Sequence, residues 1–135
     1  MVLQMLAFHL RRSAQWLFLP ALAVVIWGEL RPSVQGPEVL WDKLLHFIAY
    51  FGLAAIATLA LGRLRPALWA GLLLATFGGL LEIIQSFVGR DAEWGDELAN
   101  VIGVCAGIAV SFVVLQFLAR TGRSTNASEG VNGPF

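Results

Sequence analysis

Four apolar segments, separated by short polar stretches, organise the chain. The first, residues 13–27, contains Pro20 and reaches a comfortable membrane span only if it extends to about Leu30. The others are each close to the roughly 20 residues that cross the hydrocarbon of a bilayer. They cover residues 43–61, 67–88 and 98–118. The pattern predicts an all-α polytopic membrane protein, folded as a four-helix transmembrane bundle.

Two segments flank the predicted membrane domain. A cleaved signal peptide would also place an apolar stretch after Arg11 and Arg12, but no small-x-small cleavage site lies between the end of this stretch at Trp27 and Glu29. An uncleaved first helix is therefore expected. The tail after Ala119 has almost no apolar content, which predicts disorder. The predicted regions are a cytoplasmic N-terminal segment (1–12), a membrane domain (13–118) and a disordered cytoplasmic tail (119–135).

The basic residues favour one orientation in the membrane. With the N-terminus inside, six of the nine basic residues face the cytoplasm: Arg11, Arg12, Arg63, Arg65, Arg120 and Arg123. The other three face outward: Arg31, Lys43 and Arg90. Because cytoplasmic loops are enriched in lysine and arginine, both termini are predicted to be cytoplasmic.

Composition agrees with a membrane protein. The chain is 58% hydrophobic and 13% charged, whereas soluble domains carry about 25% charged residues. The mean hydropathy is +0.74. A formal net charge of zero gives no support for a nucleic-acid partner, and membrane lipids are the expected surroundings. The single cysteine, Cys105, lies in an apolar run and is expected to serve packing.

Polar side chains form a stripe at the start of the second segment. Asp42, His46 and Tyr50 follow one another at intervals of four residues, so each step turns about 40° around a helix and all three share one face. Lys43 lies beside them. Ionisable groups at the start of a membrane helix require a partner or a function.

The third segment carries a carboxyl group below its outer end. Glu82 lies about 9 Å inside that end, where an isolated carboxylate is costly. Gln85 follows three residues later, and Gly71, Ala75 and Gly78 fall on nearly the same stripe as Glu82. Since small residues allow helices to approach closely, this face is predicted to turn into the bundle.

The fourth segment repeats the arrangement. Asp96 and Asn100 share a face with Gly103 and Gly107, a small-xxx-small pair that packs either within the bundle or against another copy. The oligomeric state is therefore open. The three segments are expected to place their polar groups in one layer of the outer leaflet. The predicted pocket consists of Asp42, Lys43, His46, Tyr50, Glu82, Gln85, Arg90, Asp96 and Asn100.

Each polar residue also has a structural interpretation. Asp42 can cap its helix while Lys43 extends toward the interface. His46 can serve packing, and Glu82 can form a buried hydrogen bond between helices. Asp96 can act as the N-cap of the fourth helix.

The residue types permit two kinds of chemistry. A divalent cation could be held by His46, Glu82 and Asp96, with Asp42 beside them, or the same groups could act as acids and bases. No metalloprotease, nucleophile-elbow or phosphate-loop motif is present in the sequence, so catalysis and any cofactor stay open. Because acids outnumber bases near this layer, a cationic or polyhydroxylated ligand fits the charges better than an anionic one.

Several separated motifs resemble a known family. They are Asp42-Lys43-x-x-His46-Phe47-x-x-Tyr50, then Glu82-x-x-Gln85 with Gly89-Arg90, then Asp96-x-x-x-Asn100-x-x-Gly103-x-x-x-Gly107. The residues in these motifs and the order of the motifs, over residues 40–110, resemble those of the VanZ-like family of small bacterial membrane proteins. The third loop departs from the pattern in being acidic and bulky, at Asp91-Ala92-Glu93-Trp94.

The resemblance implies a multi-pass protein of the bacterial cytoplasmic membrane. The founding member of that family is associated with low-level teicoplanin resistance, which does not by itself fix a drug phenotype for this chain. The leading hypothesis is a cell-envelope protein that recognises an envelope lipid, a lipid-linked glycan precursor or a glycopeptide antibiotic, with a link to antibiotic tolerance. The alternatives are a metal-dependent membrane enzyme acting on an envelope lipid, and a structural subunit of a membrane complex or homo-oligomer.

Overall fold

The computed structural model describes residues 2–31, 39–87 and 93–131, with side chains within 5–31, 41–87 and 93–121. This part of the chain forms four helices: α1 (Val2–Leu30), α2 (Val39–Leu61), α3 (Leu64–Gln85) and α4 (Trp94–Val131). Each contains a stretch long and apolar enough to cross a membrane. The predicted all-α, four-helix, multi-pass architecture is confirmed.

Two helices are longer than the apolar segments that predict them. α1 begins at Val2 and continues through Pro20. α4 continues to Val131, although its apolar stretch ends at Thr121. A helix that a membrane span has nucleated extends readily into polar sequence, because each added residue gains a backbone hydrogen bond. This helical backbone differs from the disorder predicted after Ala119.

A two-residue connection joins α2 to α3. Gly62 has a positive φ of 67°, the left-handed conformation that commonly ends a helix and that glycine adopts without strain. Its N–H donates to Thr58 O at 2.9 Å. Arg63 is extended, and α3 then begins at Leu64. Pro66 is accommodated because the first turn of a helix has no intrahelical partner for its N–H groups.

The closest helix pair is α2 with α4. A Cβ atom at Gly103 would lie 2.5 Å from the carbonyl oxygen of Phe47, and one at Gly107 would collide with the carbonyl oxygen of Phe51. The two helices are therefore in backbone contact along this stripe. The helix face with Gly103 and Gly107 therefore packs within the bundle, which is one of the two alternatives predicted for it.

The two ends of the bundle differ in charge. At the arginine end, Arg11 Nε donates to Ala60 O at 2.9 Å, which joins the start of α1 to the end of α2. Arg63, in the connection before α3, lies at the same end, as do Arg65 in α3 and Arg120 in α4. The opposite end, here called the polar end, contains Glu29 and residues 42–46, 82–85 and 93–100. Exposed tryptophans lie near both ends: Trp16, Trp27, Trp41, Trp69 and Trp94.

The orientation of these ends is a testable prediction. The basic residues of the arginine end predict that it faces the cytoplasm. A reporter protein fused after Arg120 should therefore be protected from protease added outside intact cells. An externally cleaved reporter would contradict this topology and would move the polar end to the cytoplasmic leaflet.

Candidate functional site

His46 lies at the centre of the polar end and is buried. Its Nδ1 is 3.1 Å from Asn100 Oδ1 on α4, 3.7 Å from Glu29 Oε1 on α1 and 3.8 Å from Glu82 Oε1 on α3. The amide oxygen of Asn100 only accepts hydrogen bonds, so this contact favours the tautomer with hydrogen on Nδ1. Side chains from all four helices thus meet around one imidazole.

Further buried groups close this arrangement. Asn100 Nδ2 donates to Glu97 Oε2 at 3.2 Å, and Gln85 Nε2 donates to the backbone oxygen of Glu29 at 3.1 Å. The Tyr50 hydroxyl is fully buried beside Glu29, and it forms no hydrogen bond of standard geometry. We call these seven residues the polar cluster: Glu29, His46, Tyr50, Glu82, Gln85, Glu97 and Asn100.

Lys43 connects the start of α2 to the start of α4. Its Nζ is 2.6 Å from Glu93 Oε2 and 3.1 Å from Asp96 Oδ1. The Asp96 side chain is only 4% exposed, so its ion pair is screened less than one at the surface. The ammonium group of Lys43 is therefore already engaged by two carboxylates.

The structure replaces the capping interpretation of Asp96. α4 begins at Trp94, and the backbone N–H of Asp96 donates to Glu93 O at 3.0 Å. Asp96 is therefore inside the first turn, and its carboxylate accepts from Lys43. An acidic group there is also favoured by the partial positive charge of the helix N-terminus.

A possible metal-ligand group differs from the set predicted from sequence. Ligand atoms of Asp42, His46 and Asp96 lie within 4.8 Å of one another. Glu82, which the sequence predicts as a ligand together with His46 and Asp96, does not belong to this group and lies near His46 Nδ1 instead. The reason is that Asp42 precedes His46 by one helical turn, whereas Glu82 approaches from α3 on another side.

A groove of about 590 Å³ separates α3 from α4 at the polar end. Its walls include Leu80 and Ile83, whose side chains are exposed on the outside of the bundle, where a membrane places its lipid. Three carboxylates also line it, from Glu82, Glu93 and Glu97. Glu82 belongs both to the groove and to the polar cluster, so the groove leads from the lipid-facing surface to the buried site.

The structure brings together most of the pocket predicted from the sequence. His46, Tyr50, Glu82, Gln85 and Asn100 join the polar cluster, while Asp42, Lys43 and Asp96 lie beside it. Arg90 lies outside the described residues.

Three acids at the site were missing from the predicted pocket. Glu29 is 7% exposed and faces His46 from α1. Glu97 accepts from Asn100, and Glu93 pairs with Lys43. The sequence did contain an indication of Glu29, because a first segment that extends to Leu30 places Glu29 within a membrane span. Glu93 and Glu97 gave no comparable signal, because acids are common at a helix start.

Comparisons with known proteins do not identify the chain. No protein-family model, curated protein or solved structure matches it. The residues of the site are therefore the basis for a proposed function.

Proposed function

We propose that the protein is a VanZ-like protein of the bacterial cytoplasmic membrane that recognises the headgroup of an envelope amphiphile. The ligand class is an envelope lipid, a lipid-linked glycan precursor or a glycopeptide antibiotic, with a link to antibiotic tolerance. The headgroup is bound by the polar cluster, and the apolar part of the ligand lies in the groove between α3 and α4.

The groove is the observation that carries this proposal. Polar groups that serve only helix association are enclosed between the helices that they join. Here Glu82 and Glu97 instead border a space that continues to the exposed side chains of Leu80 and Ile83. Ligand sites combine apolar walls with a few convergent polar groups, and this groove has both.

The depth of the cluster supports the same function. His46 and Glu82 are 5% and 6% exposed, and both lie within membrane-spanning stretches of α2 and α3. Ionisable groups in such positions are costly and usually serve function. In the proposed function, a polar ligand supplies these two side chains with the hydrogen bonds that water would supply at an exposed site.

Isosteric variants test the proposal. His46→Gln, Glu82→Gln and Glu97→Gln should each accumulate in the membrane but lose an amphiphile that copurifies with the unaltered protein. The measurement is native mass spectrometry after gentle detergent extraction. A polar headgroup that loses one charge-assisted contact should bind about tenfold or more weakly.

Thr58→Ala is the matched control, because Thr58 is a fully buried polar residue whose hydroxyl donates only to Ala54 O within α2. It should retain the amphiphile. The three site variants could instead accumulate poorly in the membrane, while the protein that does accumulate keeps its ligand. In that case the cluster serves to hold the helices together, and the structural-subunit alternative is correct. Unchanged copurification in all three would contradict recognition.

A metal-dependent membrane enzyme is the second candidate. The observation in its favour is the Asp42, His46 and Asp96 group. Hydrogen on His46 Nδ1 leaves the lone pair on Nε2, and histidines that bind metals commonly donate their second ring N–H to an oxygen such as Asn100 Oδ1. Mixed imidazole and carboxylate donors suit Zn²⁺ or Mn²⁺.

Titration of purified protein with Zn²⁺ and Mn²⁺ tests this candidate. A divalent ion would compete with Lys43 for Asp96. Lys43→Met should therefore tighten ion binding, and Asp96→Asn should weaken it about tenfold or more. Glu82→Gln, outside the ligand group, should change it little. Absence of saturable binding, or equal binding in Asp96→Asn, would remove this candidate.

A further inference from the structure

The groove between α3 and α4 has a one-sided charge. Among its described lining residues, Glu82, Glu93 and Glu97 are acidic and none is basic. Lys43 lies nearby, but its ammonium contacts Glu93 and Asp96. An anionic headgroup in this groove would therefore meet carboxylates first.

We infer that the groove binds an amphiphile with a primary ammonium headgroup, which is held between Glu82 and Glu97. This inference rests on the proposed function and specifies its ligand class. An ammonium group has three hydrogen-bond donors and a compact charge, so several oxygen acceptors can surround it. Burial beside an apolar wall strengthens each of these contacts because the local dielectric is low.

Tyr50 provides an independent indication of a polar ligand. Its hydroxyl is fully buried beside the carboxylate of Glu29, with Glu82 and Glu97 also nearby. The hydroxyl can donate its hydrogen to Glu29, and its oxygen keeps lone pairs that can accept a hydrogen bond from an ammonium donor.

Gly78 lies where the side chains of Tyr50, Glu97 and Asn100 come together. A Cβ atom there would lie 3.0 Å from Tyr50 Cζ, 3.0 Å from Glu97 Oε2 and 2.9 Å from Asn100 Nδ2. A larger residue would therefore push the acceptor side chains apart. The glycine lets Tyr50 and Glu97 approach the same point from α2 and α4.

The outer part of the groove fits a hydrocarbon chain. Leu80 and Ile83 are 53% and 59% exposed, and Trp94 at the groove is 92% exposed. In a membrane, these side chains face acyl chains and the interface. An amphiphile can therefore keep its chain in the lipid while its ammonium group reaches Glu82 and Glu97.

Three single-chain probes test the inference on the full chain in lipid nanodiscs. Dodecylammonium should bind saturably and about tenfold or more tightly than dodecanol or dodecyl phosphate, since only the first adds a charge-assisted contact. Glu97→Gln should reduce dodecylammonium affinity by a similar factor. Thr58→Ala is the control, because Thr58 does not line the groove and its buried hydroxyl donates to Ala54 O within α2.

The outcomes separate the inference from the proposed function. Preferential binding of dodecyl phosphate or dodecanol in the groove would contradict the ammonium ligand but keep headgroup recognition. Equal partitioning of all three probes, unaffected by Glu97→Gln, would contradict both. Thermal unfolding of Glu97→Gln distinguishes lost binding from lost folding. If that variant is unstable, Glu82→Gln gives the same test from α3.

Discussion

Gly103→Ala is expected to lower the free energy of unfolding by about 3 kcal/mol, at the upper end of what overpacking usually costs. The added methyl group would lie 2.5 Å from Phe47 O and 3.0 Å from Phe51 N. Both atoms belong to the backbone of α2, so no side-chain rotation relieves the contact. α2 and α4 must separate, and the contact between His46 and Asn100 lengthens with them.

Gly52→Ala is the matched control for this prediction. It places the same methyl group in the interior of α2, where nothing lies within 4 Å of the new atom. Alanine is the better helix former by roughly 1 kcal/mol, so stability should be unchanged or slightly higher. Denaturant unfolding in detergent micelles measures both variants. Gly103→Ala within about 0.5 kcal/mol of Gly52→Ala would contradict the backbone contact.

Gly79→Leu is expected to weaken amphiphile binding strongly without disturbing the polar cluster. A Cβ at Gly79 would lie 3.6 Å from the Glu97 carboxyl carbon, an ordinary van der Waals contact. The rest of a leucine side chain would occupy the groove that Gly79 lines. Ligand affinity should fall about tenfold or more, whereas the free energy of unfolding should change by less than about 1 kcal/mol.

Ala109→Leu controls for added bulk on a membrane-facing surface. Ala109 is exposed on α4 and lies 13 residues beyond Asp96, about 20 Å along the helix. It should leave both binding and stability unchanged. If Gly79→Leu binds the copurifying amphiphile as well as Ala109→Leu does, the ligand does not enter through the groove.

The helices were predictable because the lipid environment imposes a simple length requirement. A chain that crosses hydrocarbon must satisfy its backbone within each segment, so apolar length indicates a helix. The helix ends were less predictable. α1 and α4 continue into polar residues to Val2 and Val131, since local hydrogen bonds can extend a helix wherever the span has begun it.

Much of the site was also predictable, because face and depth follow from spacing along a helix. Glu82 and Asn100 share stripes with small residues, and those stripes lie inside the bundle. What spacing does not fix is the direction from which a neighbouring helix approaches. His46 therefore meets Glu82 on its Nδ1 side, and Asp42 rather than Glu82 joins Asp96 in the metal-ligand group.

Glu29 shows the second limit of the sequence. It lies near the end of the weakest apolar segment, so its depth depended on where α1 ended. In the structure α1 continues to Leu30, which brings Glu29 to 3.7 Å from His46 Nδ1. A difference of about one helical turn converts an acid at a loop into a buried part of the cluster.

The central claim is that the groove between α3 and α4 admits one class of amphiphile to the polar cluster. The most direct test places the photoreactive residue p-benzoylphenylalanine at position 83 in the groove and, separately, at position 113, an exposed site on α4 outside it. Lipids captured in native membranes are then identified by mass spectrometry. We predict that position 83 captures one enriched species, which Glu82→Gln removes, while position 113 captures the bulk lipid mixture. The same bulk mixture at both positions would contradict the claim.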